Sequence, residues 1–432
     1  MSVTVIGAGL AGCEAAWALA QRGIEVTLCE MKPQKFSPAH HNAGFAELVC
    51  SNSLKAARVE SAAGLLKAEM RLMGSLLLQC ADESSVPAGG ALAVDREEFS
   101  RLATERIRSH PLIKVVEGEV TAIPEDGYII IAAGPLTSQA LSDAIAEKTG
   151  AERLSFFDAA APIVEFSSID MSKAFFAARY GRGDDDYINC PMNKEQYEAF
   201  MEQLVNAERA PLHDFENLTV YEGCMPVEVL ASRGKDSIRF GPLKPVGLTD
   251  PATGHRPWAV VQLRAENREG SLYNLVGFQT NLKFGEQKRV FSMIPGLENA
   301  SFVRYGVMHR NTFIDSPRLL DKWQRLMKEP RIRFAGQITG VEGYMESAAS
   351  GIWAGLSLAR EIAGKAPIEL PAESMIGALM GHVTDTVSKD YQPMGSNMGI
   401  LPAMESKIRD KQQRYGELAK RSLDLMRKID FD

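Results

Sequence analysis

Residues 2–30 read SVTVIGAGLAGCEAAWALAQRGIEVTLCE, and their order decides the fold. Val3-Thr4-Val5-Ile6 is a short β-branched strand, and Gly7-Ala8-Gly9-Leu10-Ala11-Gly12 is a glycine-spaced turn. An Ala-rich run to Ala20 forms a helix that closes before Gly23, and a second strand from Glu25 ends on Glu30. That succession is the dinucleotide fingerprint. Gly7 permits the tight turn, Gly9 lets a pyrophosphate come up to the backbone, and Gly12 lets the helix press on the strand. The phosphates then lie at the helix N-terminus, where unpaired N–H groups and the helix dipole favour negative charge. Glu30, 18 residues after Gly12, is placed to accept from a ribose 2′-hydroxyl.

Two later stretches favour FAD over NAD. Tyr128-Ile129-Ile130-Ile131-Ala132-Ala133-Gly134-Pro135 reads as a buried strand ending in small residues, which in flavoproteins with two dinucleotide-binding domains returns the chain to the nucleotide sheet. Residues 333–338 read as a further strand, followed by Gly340, Gly343 and a helix over about 346–360 whose N-terminus would face an isoalloxazine. In between, the Rossmann rhythm gives way to short mixed strands at 259–264 and 273–278 with Pro/Gly turns. The predicted architecture is α/β: a Rossmann-like, glutathione-reductase-like FAD-binding domain over 1–159 and 326–400, an inserted α+β substrate or RNA domain over 160–325, and a helical tail over 401–432.

The chain has 432 residues, room for two or three folding units. Its 48 Lys+Arg against 55 Asp+Glu give a net charge of −7, which argues against a uniformly basic nucleic-acid binder. Local basic surfaces are still available at Lys283, Lys288 and Arg289 and in the tail, which includes Lys407, Arg409 and Lys411. None of the six cysteines belongs to a CxxC, so neither an adjacent-dithiol redox motif nor a paired-cysteine zinc site is expected, and no metal is assigned. The apolar stretch 3–20 lacks the basic residues that open a secretory signal, and no run approaches the ~18 apolar residues of a membrane span. A soluble, cytoplasmic protein with no membrane contact is expected; no oligomeric state is assigned.

Two cysteines have a chemical context. Cys50 precedes Ser51-Asn52-Ser53, natural helix N-caps, and a helical pattern running to Arg71. Cys224 precedes Met225-Pro226 and the stretch 227–233, with Pro226 suited to a first helical turn. A thiol just before a helix start has its thiolate stabilised by the positive helix end. Cys13, Cys29 and Cys80 sit in apolar patterns, where unpaired cysteine packs as a small hydrophobe. His309 and Arg310, in RYGVMHRNT (304–312), could serve an anionic substrate or be a solvated strand and loop.

Taken together, FAELVCSNSLK (45–55), PAGGALAVDREEF (87–99), YEGCMPVE (221–228), VGFQTNLKFGEQKR (276–289), RYGVMHRNTF (304–313) and GVEGYMESAASG (340–351) resemble the folate- and FAD-dependent tRNA uracil-5-methyltransferases of the TrmFO family, over nearly the whole chain. The resemblance implies that methylenetetrahydrofolate supplies a carbon, reduced FAD the reducing equivalents, and NADPH or NADH the means of regenerating the flavin. The implied product is 5-methyluridine in the T loop of tRNA. A thiolate adding at C6 of uracil would make C5 nucleophilic, and a second group must then remove the C5 proton. By the family pattern Cys224 is the nucleophile and Cys50 its partner near the flavin and a candidate base; the sequence leaves the reverse assignment open. Candidate cofactor contacts are Gly7, Ala8, Gly9, Leu10, Ala11, Gly12, Glu30, Val120, Ala133, Gly134, Gly336, Gly343 and Tyr344, the tyrosine beside the flavin ring. With tRNA as partner, Lys283, Lys288, Arg289, His309, Arg310, Lys407, Arg409 and Lys411 become candidate RNA contacts.

Three alternatives are carried with this reading: the same chemistry on ribosomal RNA, an FAD-dependent oxidoreductase of a small molecule with structural cysteines, and a flavoprotein that binds RNA without turnover.

Overall fold

The computed structural model describes residues 2–37, 39–150, 154–159, 161–181, 184–210, 225–306, 308–386, 391–404 and 408–432, with backbone alone for 154–159 and 308–311. A six-stranded sheet runs in the order Arg325–Leu326, Glu329–Phe334, Tyr128–Ile131, β1 (Val3–Ile6), β2 (Val26–Glu30), Ile113–Glu117. Every neighbouring pair is parallel except the Arg325–Leu326 edge. β1 is central, with Val5 paired to Leu28 on one side and Ile130 on the other. Both faces of such a sheet are covered, which is why its strands are apolar runs rather than alternating ones. One face carries helix α1 (Leu10–Ala20) and the long helix Tyr344–Ile362; the other buries Ile6, Ile129 and Ile131 against Leu141, Ile145, Ile314 and Leu320.

The late strand differs from expectation. It spans Glu329–Phe334, and Gln337–Thr339 is a 3₁₀ turn, because Gly336 (φ 85°) and Gly340 (φ 88°) take backbone conformations that end a strand. The helix after it starts at Tyr344, two residues earlier than expected. The stretch after Cys50 is a second correction. Ser53–Ala56 is a strand paired with Ala91–Val94, and the helix begins only at Ala62, capped by Ser61, whose hydroxyl accepts from the Gly64 N–H at 3.1 Å.

A second, antiparallel sheet has the order Phe175–Phe176, Tyr187–Met192, Ala259–Ala265, Leu272–Leu275, Ile163–Glu165, Phe302–Arg304. The helices Lys194–Asn206 and Phe284–Phe291 pack on it through Phe200, Phe291 and Phe278 in a core of its own. Between the two sheets run the strands Leu154–Ala159 and Met308–Phe313, paired only with each other. The separate cores support a division of the chain at this strand pair, which would place the return ahead of position 325. The tail forms a helix, Lys411–Met426, docked on the first unit through Leu418, Ala419 and Met426. No helix among the described residues is long and apolar enough to cross a membrane.

Two buried carboxylates tie these helices together. Glu69 accepts the Met375 and Ile376 N–H groups at 2.7 and 2.8 Å and the Ser422 hydroxyl, so one side chain joins three helices. Glu14 accepts from Leu76 N and Leu77 N, both at 3.0 Å, and from the Ser75 hydroxyl. Burial outweighs these bonds and raises both carboxyls from the ordinary 4.5 to about 7. Between those two values the native protein holds protons that the unfolded chain has released, so stability falls as pH rises through the window. Thermal melts from about pH 5 to about pH 8 should therefore show a declining Tm, with a shallower decline in Glu14→Gln and Glu69→Gln; an unchanged slope in both variants would contradict the assignment.

Candidate functional site

The pocket opens where α1 and the helix Tyr344–Ile362 present their N-termini. The three fingerprint glycines serve three different needs. A Cβ on Gly7 (φ 99°) would stand 2.6 Å from the Ala132 carbonyl oxygen, and one on Gly12 would stand 1.7 Å from that of Gly7, whereas Gly9 has nothing within 4 Å. Gly7 and Gly12 thus allow close backbone packing, and Gly9 leaves open space at the helix start. Gly9 and Gly343, the two N-cap residues, make no side-chain cap, which leaves the first-turn N–H groups of α1 for a ligand; at the second helix the Glu346 carboxylate stands over Gly343 and accepts from its own N–H.

Gly7, Ala8, Gly9, Leu10, Ala11, Glu30, Val120, Ala133, Gly134, Gly343, Tyr344 and Cys50 all line this one pocket. Gly12 and Gly336 sit behind its wall, and a Cβ on Gly336 would meet the Ala11 Cβ and the Ser347 hydroxyl at 2.9 Å. Glu30 Oε2 accepts from Ala8 N at 2.7 Å and Oε1 from Lys32 N at 3.0 Å. Each oxygen keeps a further lone pair, so the carboxylate is braced and can still accept from a ribose hydroxyl. This lining fits a dinucleotide: open N–H groups of α1 for the diphosphate, an acceptor for the ribose beside them, and the start of a second helix on the same pocket.

Cys50 stands at that second helix start. Its N–H donates to the Tyr344 hydroxyl oxygen at 2.7 Å, and Ser51 N does so at 3.2 Å. With both lone pairs occupied, the phenol O–H is the donor in the 2.9 Å contact between Oη and the Cys50 sulfur. Burial, and then the neighbouring Cys50, hold the tyrosine well above its ordinary range, so it keeps the proton it donates. The group at the sulfur is therefore not the local helix start expected from Ser51-Asn52-Ser53; it is a hydroxyl brought from residue 344.

Of the caps expected after Cys50, Ser51 and Ser53 accept from Ser53 N and Lys55 N nearby, and Asn52 is used over long range. Asn52 donates to Val94 O at 3.0 Å and Ala265 O at 2.9 Å and accepts from Arg264 Nε at 3.0 Å, while Arg264 Nη2 reaches the Ser51 hydroxyl at 2.9 Å. Arg96 donates to the Leu48 and Val49 carbonyls, both at 3.1 Å, and pairs with Glu266 at 2.7 Å. Arg304 comes near enough for Cys50 and Tyr344 to act on its charge, and its buried Nη2 has no hydrogen-bond partner among the described residues. At the pocket wall Lys55 pairs with Glu346 at 2.9 Å, and Glu346 also accepts from Ser396. Sequence reasoning missed all of these as site residues; Asn52, Lys55, Arg96, Arg304 and Glu346 lie inside the quoted family strings, but nothing local marks their contacts.

The other candidates are placed as follows. Cys224 and Lys407 lie outside the described residues. His309 and Arg310 fall on the linking strand Met308–Phe313, paired with Asp158 and Phe157. Lys283 and Arg289 are ion-paired, to Glu208 at 2.6 Å and Glu286 at 2.7 Å, and Lys288 is exposed. Arg409 and Lys411 are exposed at the start of the tail helix. Cys13, Cys80 and Cys190 are buried. The described residues hold no cluster of His, Cys, Asp and Glu suited to a metal ion.

A family model described as Glucose inhibited division protein A, GIDA, matches residues 2–366. A methylenetetrahydrofolate–tRNA-(uracil-5-)-methyltransferase TrmFO from Acetivibrio thermocellus is 61% identical over 425 residues, covering 98% of both chains. The protein of the same name from Desulforamulus reducens is 59% identical over 425 residues, covering 98% of this chain and 96% of its own. Among solved structures, GidA of Aquifex aeolicus superposes with a TM-score of 0.69 at 18% identity, covering 99% of this chain and 73% of that one, a likeness of fold.

Tyr344→Phe removes the donor to the Cys50 sulfur. A hydrogen bond to a charged acceptor contributes about 1.5 kcal/mol, so alkylation of Cys50 by iodoacetamide at neutral pH, followed by peptide mass spectrometry, should slow roughly tenfold. Unchanged or faster alkylation would show that the phenol does not stabilise the thiolate.

Proposed function

The chain belongs to the TrmFO family, within the span of the GIDA model, and from that premise we propose that it methylates C5 of the T-loop uridine of tRNA with methylenetetrahydrofolate as carbon donor. The observation that supports this reading beyond the family is the Cys50 sulfur, set in the same pocket as the dinucleotide fingerprint and hydrogen-bonded to Tyr344.

FAD fits the pocket, and when bound and reduced by NADPH or NADH it supplies the reducing equivalents that complete the methyl group. Gly9 and the first-turn N–H groups of α1 would hold its diphosphate and Glu30 its ribose. The N-terminus of Tyr344–Ile362 would lie at its ring system. In the proposed sequence the Cys224 thiolate adds to C6 of uracil, the C5=C6 pair moves to make C5 nucleophilic, and C5 attacks the one-carbon unit. The Cys50 sulfur takes the C5 proton as tetrahydrofolate leaves, giving a methylene at C5, and two-electron reduction of that methylene, with the equivalents the flavin would supply, makes the methyl group, restores the C5=C6 double bond and expels the Cys224 thiolate. Tyr344 keeps Cys50 ready as the acceptor by donating to its sulfur. Arg96, Arg264 and Asn52 hold the Cys50 loop in place. A tRNA substrate also implies a soluble protein working in the cytoplasm.

The deciding experiment is nucleoside mass spectrometry on unmodified tRNA transcript after incubation with the FAD-loaded protein, methylenetetrahydrofolate and NADPH under low oxygen. A ribosomal RNA fragment and the Cys224→Ala protein run in parallel. Folate-dependent 5-methyluridine in the tRNA, absent with Cys224→Ala, is expected. Product in ribosomal RNA alone would move the substrate, and no product in either RNA would overturn the reading.

A further inference from the structure

Three aromatic rings lie in a near-parallel row at the edge of the inserted sheet. Tyr305 is the middle ring: it stacks on Phe284 with centroids 5.0 Å and planes 17° apart, and on Phe302 at 5.4 Å and 12°. Phe302 leans on Phe291, which is fully buried and meets Phe278 edge-on, so the inner end of the row is anchored in the core. The outer end is open, with Phe284 55% exposed.

The row is also braced. The buried Gln287 side chain accepts from Gly306 N at 2.8 Å and donates to Gly306 O at 2.8 Å and Leu282 O at 2.7 Å. These bonds lock the helix Phe284–Phe291 to the turn that carries Tyr305. A solvent-facing ring held this rigidly binds a flat partner at little entropic cost.

Charge around the ring favours an anionic strand. Lys288 is four residues after Phe284 on the helix and so lies on the same side, exposed and in no ion pair among the described residues. Lys283 and Arg289 flank it in exposed pairs, which a phosphate can displace. The helix has no side-chain cap at its start, so its first N–H groups face solvent beside the ring. The same segments reach the site at their other ends: Gln279 lines the pocket, and Arg304, next to Tyr305, feels the charge of Cys50 and Tyr344.

We propose that Phe284 is a stacking platform for an unpaired nucleobase of the RNA substrate, beside the uridine that enters the Cys50 pocket, with Lys288 on the adjoining phosphate. Every base has a π-face, so such a platform holds the strand without reading its sequence. The inference rests on the RNA-methylation reading and adds a second point of attachment to it.

The test uses the full-length, FAD-loaded protein and unmodified tRNA transcript, with affinity from fluorescence anisotropy at several salt concentrations. Flavin absorbance reports that each variant is folded. Phe284→Leu should weaken binding roughly five- to thirtyfold and Phe284→Trp should preserve it. Lys288→Ala should lower the salt slope by about one. The added tryptophan emission of Phe284→Trp should be quenched by RNA. Phe284→Leu binding as tightly as the unaltered protein, or a tryptophan at 284 indifferent to RNA, would overturn the platform while leaving the methylation reading intact. Altered sedimentation of Phe284→Leu with unaltered RNA affinity would make the ring a protein contact and equally overturn it. If the unaltered protein binds no tRNA, the platform falls together with the reading it rests on.

Discussion

The contact between α1 and the helix Tyr344–Ile362 sets everything else in the pocket. A Cβ on Gly351 would lie 2.1 Å from the Ala11 carbonyl oxygen, and one on Gly355 would lie 2.8 Å from that of Ala15. Only glycine lets the two backbones approach this closely, and Ala11, Ala15 and Ala18 keep the facing surface equally lean. A larger side chain would force the helices apart, and a close-packed interior passes such a shift on rather than absorbing it. Because the helices run in the same direction where they touch, Gly351 by Ala11 and Gly355 by Ala15, both N-termini open on one cavity, and Tyr344, the first residue of the second helix, arrives beside Cys50.

The Cys50 loop is in turn shared between the two cores. Arg96 and Val94 hold it from the nucleotide-binding side, Arg264 and Ala265 from the inserted sheet. Asn52 is fully buried and its amide engages both sides at once. Removing one partner of such a bond leaves a buried polar group unmet, at about 1–3 kcal/mol. The position of the thiol is therefore a property of how the two units meet, and no short segment could specify it alone.

That difference explains what was legible in the sequence. The strand, turn, helix and acidic residue of 2–30 depend on contacts within about one turn or strand of each other, and β1, α1 and β2 follow the reading closely. The stretch after Cys50 does not. Ser51, Asn52 and Ser53 look like helix caps because their side chains can bond nearby N–H groups. Here Ser51 and Asn52 also bond to residues more than two hundred positions away, and the local bonds that Ser51 and Ser53 accept, from Ser53 N at 3.1 Å and Lys55 N at 3.2 Å, lie in a strand to Ala56 and start no helix. The basic cluster was half legible: Glu286, three residues before Arg289, is a visible partner, whereas Glu208 reaches Lys283 only through the fold. Family strings carried Cys50 and Tyr344 to the same site, but the bond between them is a fact of geometry.

The pattern of helix caps separates ligand-binding ends from structural ones. Among described helices of nine or more residues, those starting at Ala62, Arg96, Gln139, Lys194, Met375 and Lys411 have side-chain caps from Ser61, Asp95, Ser138, Asn193, Ser374 and Asp410. Glu69 adds a buried carboxylate to the fifth of these. Only α1 and the helix from Tyr344 have glycine at the N-cap and so no cap from the N-cap side chain. A glycine N-cap in place of a capping side chain forgoes only a few tenths of a kcal/mol, and it leaves room for another group to accept those N–H bonds. Both exceptions open on the same pocket. A molecule with a diphosphate for one and an electron-accepting ring for the other satisfies both at once, which is why the cavity suits a flavin dinucleotide better than two separate ligands.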